Sequence, residues 1–173
     1  MIFNNIHLIH NGKLIQTSIE FTEEVKSLQA KGKGRDYSDY LLIPGLRNSH
    51  VHLASRLVSG SAAGMGKYEY FNEIGFQVHD RRSQKDVYAG ALLACIESLK
   101  HGVTRVDTMD MHPEPVIKAI KNVGLEYTAC LPLKDYHKEG GDVEAQFKHT
   151  RELIKDPNVI IGLANEYEST PQL

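Results

Sequence analysis

Two histidines, His50 and His52, are the residues of this chain whose types and spacing point most directly to chemistry. His50 lies near the end of a predicted β-strand, residues 46–51, and His52 directly follows that strand. The apolar run Leu41–Ile43 comes shortly before them. Alternate residues of a strand share a face, so both imidazoles would be directed at one point. Neutral imidazole binds zinc and also suits iron and nickel, and a catalytic site needs about three protein ligands. The pair would be half of such a site; the alternative is two half-buried strand histidines bonded to backbone.

The residues around this pair favour the metal site, because they carry a family resemblance. Leu42–Leu46 followed by Ser49–Leu53 resembles the first motif of the metal-dependent amidohydrolase superfamily, Pro-Gly-(Leu/Phe)-(Ile/Val)-(Asp/Asn)-x-His-x-His. Ala89–Ala94 followed by Glu97–Asp107 resembles the next motif, an alanine-rich helix that runs into Gly-Val-Thr-Thr, a hydrophobic residue and Asp. Their order and spacing fit the branch of cytosine, guanine and S-adenosylhomocysteine deaminases and triazine chlorohydrolases. The resemblance covers the chain from about Leu41 onward.

The resemblance implies metal-dependent hydrolysis of a carbon–nitrogen bond in a small molecule, with zinc as the divalent ion and iron as the alternative. His50 and His52 would be two of the ligands, and the ion would lower the pKa of a bound water toward ~7. In the family, later strands supply the other ligands and the general acid/base, so we expect the catalytic residues beyond Leu173. The 173-residue chain would then be an inactive fragment. The intact enzyme would be a homo-oligomer.

Four further residues are candidates for metal or substrate contact, because reactive groups of such a barrel lie at the carboxyl ends of its strands. The resemblance implies a structural or supporting role for Asp107. For Asp110 and His112, we favour loop polarity and helix capping before Pro113 over metal ligation. Glu166 could bridge two metal ions, but a solvated loop glutamate is the favoured interpretation.

Composition excludes several other classes of function. The net charge is −2, with no basic stripe that would indicate a nucleic-acid partner. No apolar run is long enough to cross a bilayer, and the N-terminus lacks a signal-peptide layout. Cys95 and Cys130 are expected to be inert core thiols, so a reducing cytoplasm is the predicted compartment.

The pattern predicts an α/β protein that is an incomplete TIM (β/α)₈-barrel preceded by a small antiparallel β segment. Residues 1–45 form that segment, with a hairpin around Asn11-Gly12 and a strand near Val25–Leu28. The family resemblance implies that the segment belongs to a composite β-sandwich. Residues 46–173 would be the first half of the barrel, about four βα units, because a complete barrel needs roughly 250 residues. The four predicted strands are 46–51, 103–108, 125–131 and 158–164.

Helices are predicted between these strands. Ser83 and Asp86 resemble a capping box at the start of a helix that ends at Gly102. A second helix begins at Pro113 and ends at Gly124, and a third runs from 142 to 154. The expected core stripe of the first helix is the set Val87, Ala91, Leu92, Cys95, Ile96 and Leu99.

Three interpretations compete. The favoured one is the N-terminal part of an amidohydrolase. The second is a half-barrel that pairs with another chain as a binding or regulatory module, since its open sheet edges would demand a partner. The third is a small metal-binding protein that uses His50, His52, His112 and Glu166 without catalysis.

Overall fold

A computed structural model describes residues 1–133, Lys148 and residues 151–163. The chain divides into two compact units, Met1–Pro44 and Gly45–Leu173. Among the described residues, no helix combines the length and the apolar character that crossing a lipid bilayer requires.

The first unit is a five-stranded sheet built on the predicted hairpin. Its strands are β1 (Ile2–His10), β2 (Lys13–Phe21), β3 (Val25–Leu28), β4 (Arg35–Asp36) and β5 (Leu41–Leu42). β1 and β2 pair antiparallel, and Asn11 and Gly12 between them have φ angles of 49° and 73°, as a tight hairpin turn requires. Ile6 and Ile19 are buried on the paired strands. The predicted hairpin and the strand at Val25–Leu28 are confirmed.

The expectation of a wholly antiparallel segment is wrong for the two short strands. β4 and β5 both pair with β1 in parallel, at Phe3–Arg35 and at His7–Leu41. The reason is that β2 already occupies one edge of β1, and β3 pairs with β2. The chain that follows β3 therefore reaches the free edge of β1 by a crossover, which yields parallel pairing.

The second unit contains a four-stranded parallel sheet. Its strands, in the order in which they pair, are β6 (Leu46–Val51), β7 (Val103–Met109), β8 (Glu126–Leu133) and β9 (Val159–Leu163). All four predicted strands are present, with ends that differ by one or two residues. Each strand begins at the same edge of the sheet, so the segments that follow β6 and β7 meet at the opposite edge.

Helical segments separate the strands of this sheet. A 3₁₀ segment (Leu53–Val58) follows β6, and α1 (Lys67–Tyr70) continues through a π-helical turn (Phe71–Gly75) into α2 (Phe76–Arg81). α3 (Gln84–Lys100) and α4 (Pro113–Val123) follow. The predicted capping box is confirmed, because the Ser83 amide donates to Asp86 and the Asp86 amide to Ser83. The helix predicted at 142–154 falls mostly outside the described residues, of which 151–153 are helical.

The core lies between the sheet and α3 and α4. Val106, Val116 and Ile120 are fully buried there. The predicted stripe of α3 is correct for Val87, Ala91 and Cys95 and wrong for Ile96 and Leu99, which are exposed. No charged residue stands between Asp86 and Glu97 to mark the outer side of α3, so the sequence leaves the rotation of the helix open.

Both cysteines are free thiols. Cys95 is fully buried in α3, and burial raises the pKa of its thiol to about 11. Cys130 lies half-buried in β8, and burial raises the pKa of its thiol as well. A raised thiol pKa removes the reactive thiolate, which agrees with the expectation of inert thiols.

Candidate metal site

His50 and His52 lie side by side at the carboxyl end of β6. Their ring centroids are 5.1 Å apart and the ring planes cross at 87°. β6 is a parallel strand paired with β7, and both histidines are exposed. The predicted placement of two neighbouring imidazoles at the tip of a parallel strand is therefore what the structure shows; their binding of a metal stays a prediction.

The spacing of the two rings fits a shared ion. Two imidazoles on one tetrahedral zinc ion, with Zn–N bonds of about 2.0–2.1 Å, have ring centres roughly 5 Å apart. The donor set suits a borderline cation such as zinc, because both groups are imidazoles and neither is a hard oxygen ligand.

A backbone carbonyl orients the His52 ring. His52 Nδ1 lies 2.5 Å from the carbonyl oxygen of Met109, the last residue of β7. A carbonyl can only accept, so Nδ1 carries the proton and Nε2 keeps its lone pair. Metal-binding histidines are usually held in this way, by a hydrogen bond from the nitrogen that does not bind the metal. The contact leaves the lone pair of His52 Nε2 available to a ligand-binding role.

The strand is irregular where it carries the first histidine. The pairing of β6 with β7 shifts register between Asn48 and Val51, which marks a bulge. The His50 amide donates to the Asn48 side chain at 3.3 Å. Bulges of this kind redirect side chains beside functional sites.

Asp110 lies next to the histidine pair, but its hydrogen bonds differ from those expected of it. It is buried and accepts hydrogen bonds from Thr108 Oγ1 at 2.6 Å and from the amides of Leu53 at 3.2 Å and Ala54 at 3.3 Å. Burial raises the pKa of Asp110, and the hydrogen bond from Thr108 offsets part of that rise. The favoured role of loop polarity and capping before Pro113 is therefore wrong, because Asp110 caps the 3₁₀ segment that follows His52.

Asp107 belongs to an ion pair across β6 and β7. Arg47 binds its Oδ2 through Nε at 2.8 Å and Nη2 at 2.6 Å, and Arg105 Nε lies 3.7 Å from Oδ1. Burial raises the pKa of Asp107, but the hydrogen bonds from Arg47 and Thr128 and the charges of Arg47 and Arg105 together outweigh it, so the pKa is below its ordinary value. The structural role that the resemblance implies for Asp107 stays a prediction.

The remaining candidates do not join the pair within the described part of the chain. His112 stands at the start of α4 without a capping bond from its side chain, and its Nδ1 lies 3.5 Å from Gln84 Nε2. Glu166 lies outside the described residues. Among the side chains that the structure describes, no group of three or more His, Cys, Asp or Glu could hold a metal ion.

Two supports of the site carry no sequence signal of their own. The first is the Met109 carbonyl, because any residue has one. The second is the docking of the 3₁₀ segment on α3, where Arg56 pairs with Glu97, with Nη2 2.6 Å from Oε1. Gly90 of α3 approaches the same segment so closely that a Cβ there would lie 2.5 Å from the Ala54 carbonyl oxygen. A glycine inside a helical pattern is the one hint that a backbone passes close by.

A parallel sheet packed against helices, with two imidazoles at the carboxyl end of its first strand, defines an α/β protein with a candidate metal site. Comparison with known proteins makes the assignment specific. The profile of the Amidohydrolase family matches residues 41–167, and the chain belongs to this family.

Curated relatives agree with this assignment. The chain is 31% identical over 120 residues to 5-methylthioadenosine/S-adenosylhomocysteine deaminase 2 of Archaeoglobus fulgidus, which covers 66% of this chain and 29% of that protein. It is 30% identical over 166 residues to the 5′-deoxyadenosine deaminase of Methanothrix thermoacetophila, covering 90% of this chain and 40% of that protein. The chain thus spans well under half the length of the curated relatives it matches.

Solved structures share the fold. A zinc-bound adenosine deaminase from Xanthomonas campestris matches with a TM-score of 0.79 at 17% identity, over 94% of this chain and 42% of that one. Atrazine chlorohydrolase from Arthrobacter aurescens, complexed with zinc, matches with a TM-score of 0.71 at 16% identity, over 94% of this chain and 46% of that one. At this level of identity the likeness concerns the fold.

Proposed function

We propose that the chain is the N-terminal part of a metal-dependent hydrolase that acts on carbon–nitrogen bonds, with His50 and His52 as two ligands of a divalent ion. The observation that carries the proposal is the pair of adjacent imidazoles at the tip of β6, one of them oriented by the Met109 carbonyl. Two histidines with a purely structural role would not need a ring orientation that leaves Nε2 free to bind a ligand.

The described residues have defined tasks in this proposal. His50 and His52 would hold the ion, the Met109 carbonyl sets the tautomer of His52, and the Asn48 side chain accepts from the backbone amide of His50. When bound, the ion supplies Lewis acidity, which lowers the pKa of water toward ~7 and polarises the bond to be cleaved. The remaining ligands and the group that moves the proton to the leaving amine would come from other parts of the intact enzyme.

The substrate class follows from the relatives. They are deaminases of adenosine derivatives, and we take a small molecule with a hydrolysable exocyclic amine as the substrate class of the intact protein. Zinc is the proposed ion, since it is bound in the solved neighbours and suits the two imidazoles.

The architecture and setting of the intact enzyme are part of the same proposal. The four-stranded sheet would be the first half of a (β/α)₈ barrel, and residues 1–45 would contribute to a β-sandwich. The isolated 173-residue chain would lack activity, and the intact enzyme would be a cytoplasmic homo-oligomer. The non-catalytic half-barrel module is not favoured, because both the relatives and the solved neighbours are enzymes.

A metal titration tests the proposal. We expect His50→Ala and His52→Ala each to lower the affinity of the chain for Zn²⁺, measured by competition with a chromophoric chelator, about 10-fold or more. The matched control is His10→Ala, since His10 is an exposed histidine at the end of β1 and its ring contacts its neighbour Asn11. Equal zinc affinity in wild type, His50→Ala and His52→Ala would overturn the proposal.

A further inference from the structure

Beyond the two ligands, we propose that Asp110 is a positioning residue of the metal site, which acts through the backbone that follows His52. This inference rests on the proposed metal-binding role of His52. It assigns to Asp110 neither metal ligation nor contact with substrate.

The carboxylate of Asp110 is already occupied by protein donors. Oδ2 accepts from Thr108 Oγ1 at 2.6 Å and from the Leu53 amide at 3.2 Å, and Oδ1 accepts from the Ala54 amide at 3.3 Å. Only 6% of the residue is exposed to solvent. A metal ion would have to displace these bonds to bind, and the two amides would lose their acceptor, which is unfavourable for a buried donor.

Two of the three hydrogen bonds that Asp110 accepts come from one short stretch of chain. Leu53 and Ala54 are the two residues directly after His52, and they open the 3₁₀ segment, whose first amides have no acceptor within the segment itself. The side chain of His52 forms no capping bond there. Asp110 thus supplies the cap that the local sequence lacks, although it lies 57 positions after Leu53 and 56 after Ala54 in the chain.

Three consecutive residues at the end of β7 hold this stretch together. Thr108 Oγ1 lies 3.2 Å from the Val51 carbonyl as well as 2.6 Å from Asp110, and its single proton serves the nearer acceptor. Met109 accepts from the His52 ring, and Asp110 accepts from the two amides that follow. His52 is therefore fixed at its ring by Met109 and along its backbone by Asp110.

A rigid backbone at this point has a direct chemical consequence. The bond between His52 and the Met109 carbonyl selects the Nδ1–H tautomer only while the ring stays within reach of that oxygen. If the segment after His52 loosens, the ring leaves the carbonyl, and the tautomer that is competent to bind through Nε2 is no longer favoured. Zinc affinity then falls although both ligands are still present.

The test compares Asp110→Ala and Asp110→Asn with a control that also removes a helix cap. The control is Asp86→Ala, since Asp86 caps α3 through hydrogen bonds to Ser83 and not to the amides that follow His52. The first readout is the tautomer ratio of His52, from nitrogen-15 NMR of the metal-free chain. The second is the affinity for Zn²⁺ from chelator competition.

We expect wild type and Asp86→Ala to show the Nδ1–H tautomer of His52 and the same zinc affinity within about 2-fold. Asp110→Ala should shift His52 toward the Nε2–H tautomer and bind zinc about 10-fold more weakly, the lower end of the 10–100-fold effect of losing an outer contact of a metal site. Asp110→Asn keeps the shape and one acceptor oxygen, so both readouts should fall between Asp110→Ala and wild type.

Two results would overturn the inference. One is an Asp110→Ala chain with unchanged tautomer and unchanged affinity; should that variant not fold, unchanged readouts in Asp110→Asn decide in the same way. The other is an equal loss in Asp86→Ala, which would mean that any lost cap has this effect. If the wild-type chain bound no zinc, the proposed function would fail, while the tautomer readout in the metal-free chain would still test the role of Asp110.

Discussion

The two ends of the parallel sheet use an aspartate in opposite ways. At the carboxyl ends of the strands, Asp110 accepts from backbone amides and a hydroxyl, and burial raises its pKa. At the amino ends, Asp156 accepts from the Lys121 ammonium at 2.8 Å and from the Asn158 amide at 2.9 Å. The hydrogen bond from Lys121, followed by that from Tyr127, holds the pKa of Asp156 below its ordinary value.

The two aspartates therefore have different structural roles. Asp156 joins the last turn of α4, through Lys121, to the start of β8, through Tyr127, and to the turn before β9. Those bonds connect elements of the fold. Asp110 accepts from Thr108 at the end of β7 and from the two amides directly after His52, so its bonds hold the backbone that follows a candidate metal ligand. In (β/α)₈ barrels, the residues that stabilise the fold lie at the amino ends of the strands and the reactive groups at the carboxyl ends, and the two aspartates of this sheet are divided in the same way.

The largest loss of stability is expected at the carboxyl ends of the strands, where Gly90 of α3 packs closely against the 3₁₀ segment. Gly90→Ala places a Cβ 2.5 Å from the Ala54 carbonyl oxygen, and the backbone must move to relieve the overlap. Overpacking costs about 1–3 kcal/mol, so we expect the free energy of unfolding to fall by about 2 kcal/mol in urea denaturation, despite the better helix propensity of alanine. The control is Gly66→Ala, because a Cβ at Gly66 meets nothing within 4 Å. If the Gly90→Ala chain had the same free energy of unfolding as wild type, the close approach of Gly90 to the Ala54 carbonyl would be shown not to affect stability.

A smaller loss of stability is expected from a substitution at the amino ends of the strands. Asp156→Asn removes the charge that Lys121 and Tyr127 bind, and hydrogen bonds to charged groups contribute about 1.5–3 kcal/mol. Asparagine keeps part of the bonding, so we expect a loss of about 1 kcal/mol at neutral pH.

The same variant has a defined pH dependence. The folded-state pKa of Asp156 is lowered, so its contribution to stability is complete above the unfolded-state pKa of about 3.9 and is lost as the pH falls below that value. The stability difference between wild type and Asp156→Asn should therefore narrow between about pH 5 and pH 3. A difference that stays constant or widens over this range would contradict the assigned role.

The smallest effect concerns Lys121 itself. Its side chain is 58% exposed, and exposed ion pairs contribute about 0.2–1 kcal/mol. Lys121→Met should lower the free energy of unfolding by about 0.5 kcal/mol at low salt, and the difference should shrink in about 1 M NaCl because salt screens the pair. Lys118→Met on the same helix, which removes a lysine that does not bind Asp156, is the control. A loss as large as that of Asp156→Asn would mean that Lys121 alone carries the network.

Local rules predicted those parts of the fold that depend on neighbours in sequence. Asn11 and Gly12 tolerate positive φ and therefore define the hairpin, and Ser83 and Asp86 start α3 because their capping bonds close within three residues. The spacing of His50 and His52 likewise predicted two adjacent rings, since the backbone of one strand brings them together. A strand that carries both imidazoles brings them together without a contact to a distant part of the chain.

Distant contacts decided the rest. The parallel pairing of β4 and β5 with β1 depends on which strand edge was free, and the outer face of α3 depends on where the sheet lies, because its central residues carry no charge. The role of Asp110 was beyond sequence reasoning for the same reason. Its partners, Leu53 and Ala54, contribute only backbone amides, which every residue but proline possesses, and they lie more than 50 positions away.

The sequence by itself determined the family, the four strands and the pair of imidazoles, because motif spacing and strand periodicity are local properties. Only the tertiary structure decided which nitrogen of His52 is left for a ligand and what Asp110 does. Both depend on parallel pairing between β6 and β7, which places the end of one strand against the segment that leaves the other.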